Sequence, residues 1–417
     1  MAQYLPEILQ RPYPRVQLHT MTIQYMKKGH PWVTADSFTA RFPEDRTFLI
    51  GTNGKDTENS LLLHDPNHKQ VKARVWTTKP PFVEAVKHFP DDLKNRIREA
   101  FSRREKLIQS NERDNYYLVF GEADRVPGVM VQLLGDTVLV QYYANFWYAL
   151  QGFLVTAIEV ALTAYFPGKK FSICLQERTF SQRSKIQKIH LSKIGKPLEA
   201  EKTIQEFGVN YKIIIDKNYD FGIYTDMSAI RKKMAPYFEN AEDVLNLFSY
   251  TGAYSLFALK CGAKRTYSVD LSGKYLSWLD ENIALNPDLE GLNQNIEAPV
   301  EVAVEDFLAE KKTFSFIVCD PPSASSDGKK MSTSFKSYEA LLPKLVRLTK
   351  NGGHILIFLN THNITWKKFE GQINKILDER VKRKVVIEKK FNLTDDCPRT
   401  SGFFEGDYLK GLLLKVN

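Results

Sequence analysis

Val244-Leu245-Asn246-Leu247-Phe248-Ser249-Tyr250-Thr251-Gly252 runs from mostly apolar residues into small and polar ones, and Tyr254 to Lys260 follows with helical composition. The succession predicts a buried strand, a ligand loop at its carboxyl end and a helix, the unit from which nucleotide-binding open sheets are built. Such a site wants an acid for ribose hydroxyls about 20 residues beyond the loop. Asp270 meets that spacing, at the end of the strand-like Arg265 to Val269. The loop holds one glycine, whereas a pyrophosphate needs several so that backbone N–H groups can approach its oxygens. A nucleoside cofactor without pyrophosphate fits, which argues against NAD and for S-adenosylmethionine (SAM). An ordinary strand, helix, strand unit without a ligand is the alternative at this point.

Downstream residues extend the pattern. Asp306 lies just past the strand-like Val300 to Val304, where an acid accepts from an adenine amino group; a helix N-cap is its other reading. Phe314 to Cys319 reads as a buried strand ending in Asp320-Pro321-Pro322. Two prolines fix an extended turn there. In an open α/β sheet the crevice beyond the strand ends is where substrate lies, and such an acid can hold the edge of a flipped base. Tyr338 to Lys350 predicts a helix stopped at Asn351-Gly352-Gly353, and His354 to Leu359 a strand ending at Asn360-Thr361-His362. A helix near Lys367 to Arg380 and strands over Lys384 to Phe391 and Asp407 to Val416 complete seven strands, an α/β Rossmann-like methyltransferase sheet.

The chain has 417 residues, more than one core usually organises. Short β-like runs at Thr47 to Ile50 and Val71 to Trp76 predict a small β-rich module over 1–80. A charged helical pattern from Pro90 to Glu105 and strands at Tyr116 to Phe120 and Thr137 to Tyr142 predict a middle α+β domain over 81–205. The last domain is expected at 206–417, since from Val209 strands and helices alternate. Lys plus Arg outnumber Asp plus Glu 58 to 49, a net charge of +9 that favours a polyanionic partner, and Arg183 to Lys196 alternates cations with apolar residues as a basic ribbon or a solvated face would. The four cysteines at 174, 261, 319 and 397 show neither zinc nor disulfide spacing, so no metal and a reducing cytoplasmic setting are expected. Pro6, Glu7 and Pro14 interrupt any signal-like run, and Trp147 to Phe166, broken by Gln151 and Glu159, is expected as an amphipathic or core helix with no membrane span.

With these pieces in order, the chain resembles the bacterial large-subunit rRNA methyltransferases of the cytosine carbon-5 type and their guanine nitrogen-7 relatives. The matching pieces are Lys28-Gly29-His30-Pro31-Trp32-Val33, Gly121 to Gly128, Gly222-Ile223-Tyr224-Thr225-Asp226, Asn246 to Gly252, Asp320-Pro321-Pro322 and Gly406-Asp407-Tyr408-Leu409-Lys410-Gly411, spread over nearly the whole chain. The resemblance implies a PUA-like RNA-binding domain, a middle α+β domain and a catalytic domain. It implies Asn246, Phe248 and Gly252 near the methionine part of SAM, Asp270 on the ribose, Asp306 on adenine, and Asp320 beside both cofactor and target base. Tyr224 and Asp226 would form a wall over the cofactor. RNA, with large-subunit rRNA foremost, is the implied partner, and a homodimer is compatible.

One departure bears on mechanism. Cytosine carbon-5 members have a cysteine just after the fifth strand, where this chain has Asn360-Thr361-His362. Carbon-5 of cytosine is too weak a nucleophile to attack a sulfonium, so a thiolate must first add to the neighbouring carbon. Cys319 is expected to turn into the sheet packing and Cys397 to sit in a surface loop, with either of them standing in for the missing nucleophile as the alternative. Asn360 instead resembles the guanine nitrogen-7 branch, where a ring lone pair attacks the methyl directly and needs only alignment. The expected catalytic residues are Asp320, Pro321 and Asn360, with His362 as a solvated loop residue. The rivals are a SAM-dependent methyltransferase for DNA, protein or a small molecule, and a non-catalytic SAM- and RNA-binding ribosome-associated protein.

Overall fold

The computed structural model describes residues 6–10, 12–178, 199–215, 221–322, 334–393 and 395–417. The basic ribbon expected from Arg183 to Lys196 lies outside the described residues. The chain divides into two compact units: residues 1–199 with 395–406, and residues 200–394 with 407–417.

The first unit holds a five-stranded sheet ordered Arg15–Gln17, Phe48–Thr52, Glu58–His64, Val71–Thr77, Trp32–Thr34, and a four-stranded sheet formed by Asn115–Phe120, Val129–Leu134, Thr137–Tyr142 and Ser172–Glu177. Residues 1–80 and 81–205, expected as separate domains, share a core. Phe48, Leu61, Leu63 and Trp76 of the first sheet pack in one cluster with Phe89, Ile97, Val131, Val140, Leu154 and Ile158. The helix Phe146–Tyr165 is long and apolar enough to cross a membrane, yet Trp147, Leu150, Leu154, Ile158 and Leu162 are buried in that same core, as expected of a core helix. Asp395–Gly406, far along the chain, also belongs to this unit. The Asp396 carboxylate accepts from Arg113 Nη2 at 2.6 Å and Tyr117 N at 2.8 Å, and the Phe403 ring meets that of Trp32 at 4.8 Å.

The second unit begins with a hairpin, Glu201–Glu206 paired antiparallel with Val209–Ile214. The boundary expected near 206 would cut it. Phe207 and Gly208 both have positive φ and close a two-residue turn. The sheet that follows has seven strands: β1 (Asp243–Leu247), β2 (Arg265–Asp270), β3 (Asn293–Glu297), β4 (Phe314–Cys319), β5 (Thr349–Asn360), β6 (Val385–Asn392) and β7 (Leu409–Val416). Their order is β3-β2-β1-β4-β5-β7-β6, parallel except for β7, which runs antiparallel to both neighbours. Helices α1 (Ser228–Phe238), α2 (Ala253–Lys260) and α3 (Gly273–Ala284) precede or separate the first three strands, and α4 (Val300–Ala309), α5 (Ser334–Leu348) and α6 (Trp366–Arg380) separate the rest. One face is closed by Val304 and Phe307 of α4, Tyr338, Leu341 and Leu345 of α5 and Phe369 and Ile373 of α6, packed on Leu245, Ile317, Ile355 and Leu412.

The strand order reverses between β1 and β4. At such a switch point the two flanking loops diverge and leave a crevice at the carboxyl ends. The loop after β1 and the turn after β4 are the two segments quoted above for their chemistry.

Candidate active site

The loop after β1 is held in a conformation that most residues avoid. Phe248, Tyr250 and Gly252 all have positive φ, at 59°, 51° and 82°. For the two non-glycine residues this stores roughly 1–3 kcal/mol each unless the surroundings fix it. Hydrogen bonds do so: Ser249 N to Val269 O at 3.0 Å, Gly252 N to Ser249 O at 2.9 Å, Asn282 Nδ2 to Thr251 O at 3.0 Å. The turn around Gly222 buttresses the same loop, since Gly222 N donates to Tyr250 Oη at 2.9 Å and Thr251 Oγ1 donates to Gly222 O. A Cβ on Gly252 would come within 2.5 Å of Leu279 Cγ, so only glycine fits.

Asp270, at the end of β2, pins this loop. One carboxylate oxygen accepts from Tyr250 N and the other from Ser272 N, each at 2.9 Å. Burial raises its pKa, while the N–H groups of Ser272, Tyr250 and Leu271 hold it down. Asn246 works behind the loop: its Nδ2 donates to Ser255 Oγ at 3.0 Å, Ser255 meets Ser268 at 2.6 Å, and Ser268 donates to Asn293 Oδ1 at 2.8 Å. This ladder crosses β1, β2 and β3 and fastens α2 to them. Half-buried Phe248 packs against the core cluster that includes Leu247.

On the other side of the switch point, Asp320 follows β4. Asn360 Nδ2, at the end of β5, donates to Asp320 Oδ1 at 3.2 Å. Burial, and next the negative charge of Asp226, push the Asp320 carboxyl up to about 7, against the opposing pull of Arg231. Pro321 is buried and Pro322 exposed. Asp226 itself accepts from Tyr408 Oη at 2.6 Å. Exposed Tyr224 meets the Tyr250 ring at 5.3 Å, and Tyr250 meets Tyr275 at 4.6 Å, so the 224–226 turn and the loop after β1 share an aromatic wall.

Behind the turn, fully buried Arg231 pairs with Glu206 through Nε at 2.7 Å and Nη2 at 3.1 Å, and also donates to Tyr224 O at 3.0 Å. The sequence reading missed Glu206 and Arg231, and it quoted Tyr408 within the Gly406 to Gly411 piece without assigning it a role. A charge pair 25 residues apart carries no local signal, and only the hairpin's docking brings it together.

Asp306 needs correction. Val300–Ala309 is a helix, and the strand expected there is β3, seven residues earlier. Asp306 therefore lies on the exposed face of α4, and the carboxyl end of β3 is Glu297. A Cβ on Gly273 would stand 2.6 Å from Glu297 Oε2, so the first turn of α3 closes directly on that carboxylate. Cys319 is buried in the apolar cluster, and burial together with Asp320 pushes its thiol far up. Cys397 is buried in the first unit, and His362 is exposed.

Residues 156–374, more than half of the chain, match the model of the S-adenosylmethionine-dependent methyltransferases. This chain belongs to that family. The methyltransferase is 29% identical over 395 residues to YwbD of Bacillus subtilis, covering 94% of this chain and 96% of that protein. It is 29% identical over 415 residues to the ribosomal RNA large subunit methyltransferase I of Shewanella denitrificans, covering 96% and 99%. A crystal structure of SMU.776 complexed with SAH shares the fold, with a TM-score of 0.82 at 21% identity, covering 97% of this chain and 100% of that one. SAM is therefore the cofactor of this methyltransferase, and the strained single-glycine loop beside Asp270 fits a nucleoside that carries no pyrophosphate.

Proposed function

We propose that this methyltransferase modifies a base of RNA, with large-subunit ribosomal RNA as its substrate. The observation that carries the reading is the Asp320 to Asn360 pair at the carboxyl ends of two neighbouring strands. A carboxyl poised near 7 can accept from a ring N–H or donate to a carbonyl, and the Asn360 amide supplies a second, fixed partner. That is a planar polar edge suited to the hydrogen-bonding edge of a base turned out of its stack. The names of the Shewanella relatives and the net charge of +9 support the RNA assignment, with the proposed PUA-like region, residues 1–80, contributing phosphate contacts.

In the same reading Asp270 binds the ribose, Phe248 and Gly252 flank the methionine arm, and Tyr224 and Asp226 close over it. Asn246 supports the loop through Ser255. Asp306, exposed on α4, contributes least, and the adenine end lies closer to Glu297 and Ala298.

The thiols favour a ring nitrogen as the base atom. Cys174 and Cys397 are buried in the first unit, Cys261 ends α2 with its thiol pushed up to about 11 by burial, and Cys319 is sealed under the sheet. With no accessible thiolate at the strand ends, addition to cytosine lacks its nucleophile. A ring nitrogen such as guanine nitrogen-7 attacks with its own lone pair: a nitrogen–carbon bond forms, the carbon–sulfur bond breaks, and the sulfur leaves as a neutral thioether. Bound SAM supplies the electrophilic methyl; Asp320 and Asn360 supply alignment. Mass spectrometry of rRNA nucleosides from cells with and without the protein tests this. Loss of a methylguanine supports it, and loss of a methylcytosine overturns the choice of atom.

A further inference from the structure

In the methyltransferase unit, two buried side-chain polar atoms lack a hydrogen-bond partner among the described residues: Ser249 Oγ and Tyr254 Oη. Both belong to the loop and helix that follow β1. An unsatisfied buried hydroxyl costs about 1–3 kcal/mol, so two within six residues of one another, on either side of Gly252, call for a ligand. Tyr254 is 7% exposed and sits in the first turn of α2.

Its surroundings say which part of a ligand it meets. The Arg231 guanidinium stands 5.7 Å from the Tyr254 ring, and the Phe358 ring is 5.9 Å away. The charges acting on the phenol are Arg231, Asp320, Glu206 and Asp226. Arg231 is committed to Glu206, Tyr224 O and Ser228 Oγ. The Asp226 carboxylate suits a cation. One idle donor backed by a guanidinium suits an anion. A ligand bearing both is the zwitterionic amino-acid end of the cofactor, its ammonium toward Asp226.

We propose that the Tyr254 hydroxyl donates to the carboxylate of the methionine arm, making Tyr254 a cofactor-binding residue. The inference rests on the cofactor and not on the RNA reading, so its test uses no RNA. Titration calorimetry of the full chain compares S-adenosylhomocysteine with 5′-methylthioadenosine, which lacks the amino-acid end. Tyr254→Phe removes one oxygen and keeps the ring on Phe358. A hydrogen bond to a charged group predicts a loss of S-adenosylhomocysteine affinity of about 10- to 100-fold, with methylthioadenosine affinity unchanged within about twofold. Because the hydroxyl lacks a protein partner, the ligand-free variant melts at the same temperature as the wild type or higher. Unchanged S-adenosylhomocysteine affinity overturns the proposal. So does an equal loss for both ligands, which marks a packing role, or a fall in the ligand-free melting temperature, which marks a partner within the protein.

Discussion

Asn360 Nδ2 donates to Asp320 Oδ1 across 3.2 Å, tying together the ends of two adjacent parallel strands that are 40 residues apart in the chain. Among the described residues neither hydrogen-bonds to the loop that follows β1, so the pair and the cofactor loop form separable halves of the site. Asp320→Ala is expected to lower kcat by about 100-fold or more while leaving the affinity for S-adenosylhomocysteine within severalfold. Asn360→Ala should give a smaller loss in the same direction. Single-turnover kinetics beside calorimetry separates the two halves; a variant that loses cofactor affinity and keeps kcat would sink the division.

The same carboxyl sets a pH dependence. Asp320 is pushed from an ordinary 3.8 up to about 7 by burial and by Asp226, with Arg231 opposing. A folded-state pKa above the unfolded one means that its contribution to stability is complete below about 4 and is lost as pH rises through 7. Asp320→Asn stays neutral throughout. The melting temperature of the variant should therefore gain on the wild type between about pH 4 and 7 and level off above that, and parallel curves throughout would show that Asp320 ionises normally.

Much of this was legible in the sequence, for identifiable reasons. Val244 to Gly252 and Phe314 to Cys319 are continuous apolar strands of a buried parallel sheet, which announce themselves. Asp306 was misplaced because Val300-Glu301-Val302-Ala303-Val304 alternates as a strand does. The buried set is Val300, Ala303, Val304 and Phe307, at the three- and four-residue spacing of a helix that starts after Pro299. The true strand, Asn293–Glu297, is an edge strand with Ile296 as its one apolar residue and no hydrophobic pattern to read. The position near 206 falls inside a hairpin that the sequence hides, because Phe207 is an unusual residue for a positive-φ turn. The membership of Asp395–Gly406 in the first unit depends on contacts nearly 300 residues apart, such as Asp396 with Arg113.

The Glu206 to Arg231 pair should be structural. Arg231→Met leaves a buried carboxylate without a partner and is expected to destabilise by about 3–5 kcal/mol. Combined with Glu206→Leu, much of that loss should return, because both charges are then gone. Chemical denaturation of the two single variants and the double variant measures the coupling, and additive losses would show the pair to be independent.

Gly252→Ala meets both a φ of 82° and the Leu279 side chain. The expected result is a destabilisation of about 1–3 kcal/mol and a loss of cofactor affinity. Leu279→Ala beside it should recover part of the stability by making room, but not the backbone strain. Recovery of wild-type affinity in the double variant would mean that the positive φ is unimportant.

The central claim is methyl transfer to an RNA base without a thiolate. It is tested most directly by incubating purified protein, and its Cys319→Ala, Cys397→Ala double variant, with labelled SAM and unmodified large-subunit rRNA, then resolving the nucleosides. Label in a methylguanine, at equal rates for both proteins, is the predicted result. Label in 5-methylcytosine that vanishes with the cysteines, or no label in RNA from a protein that binds SAM, would contradict it.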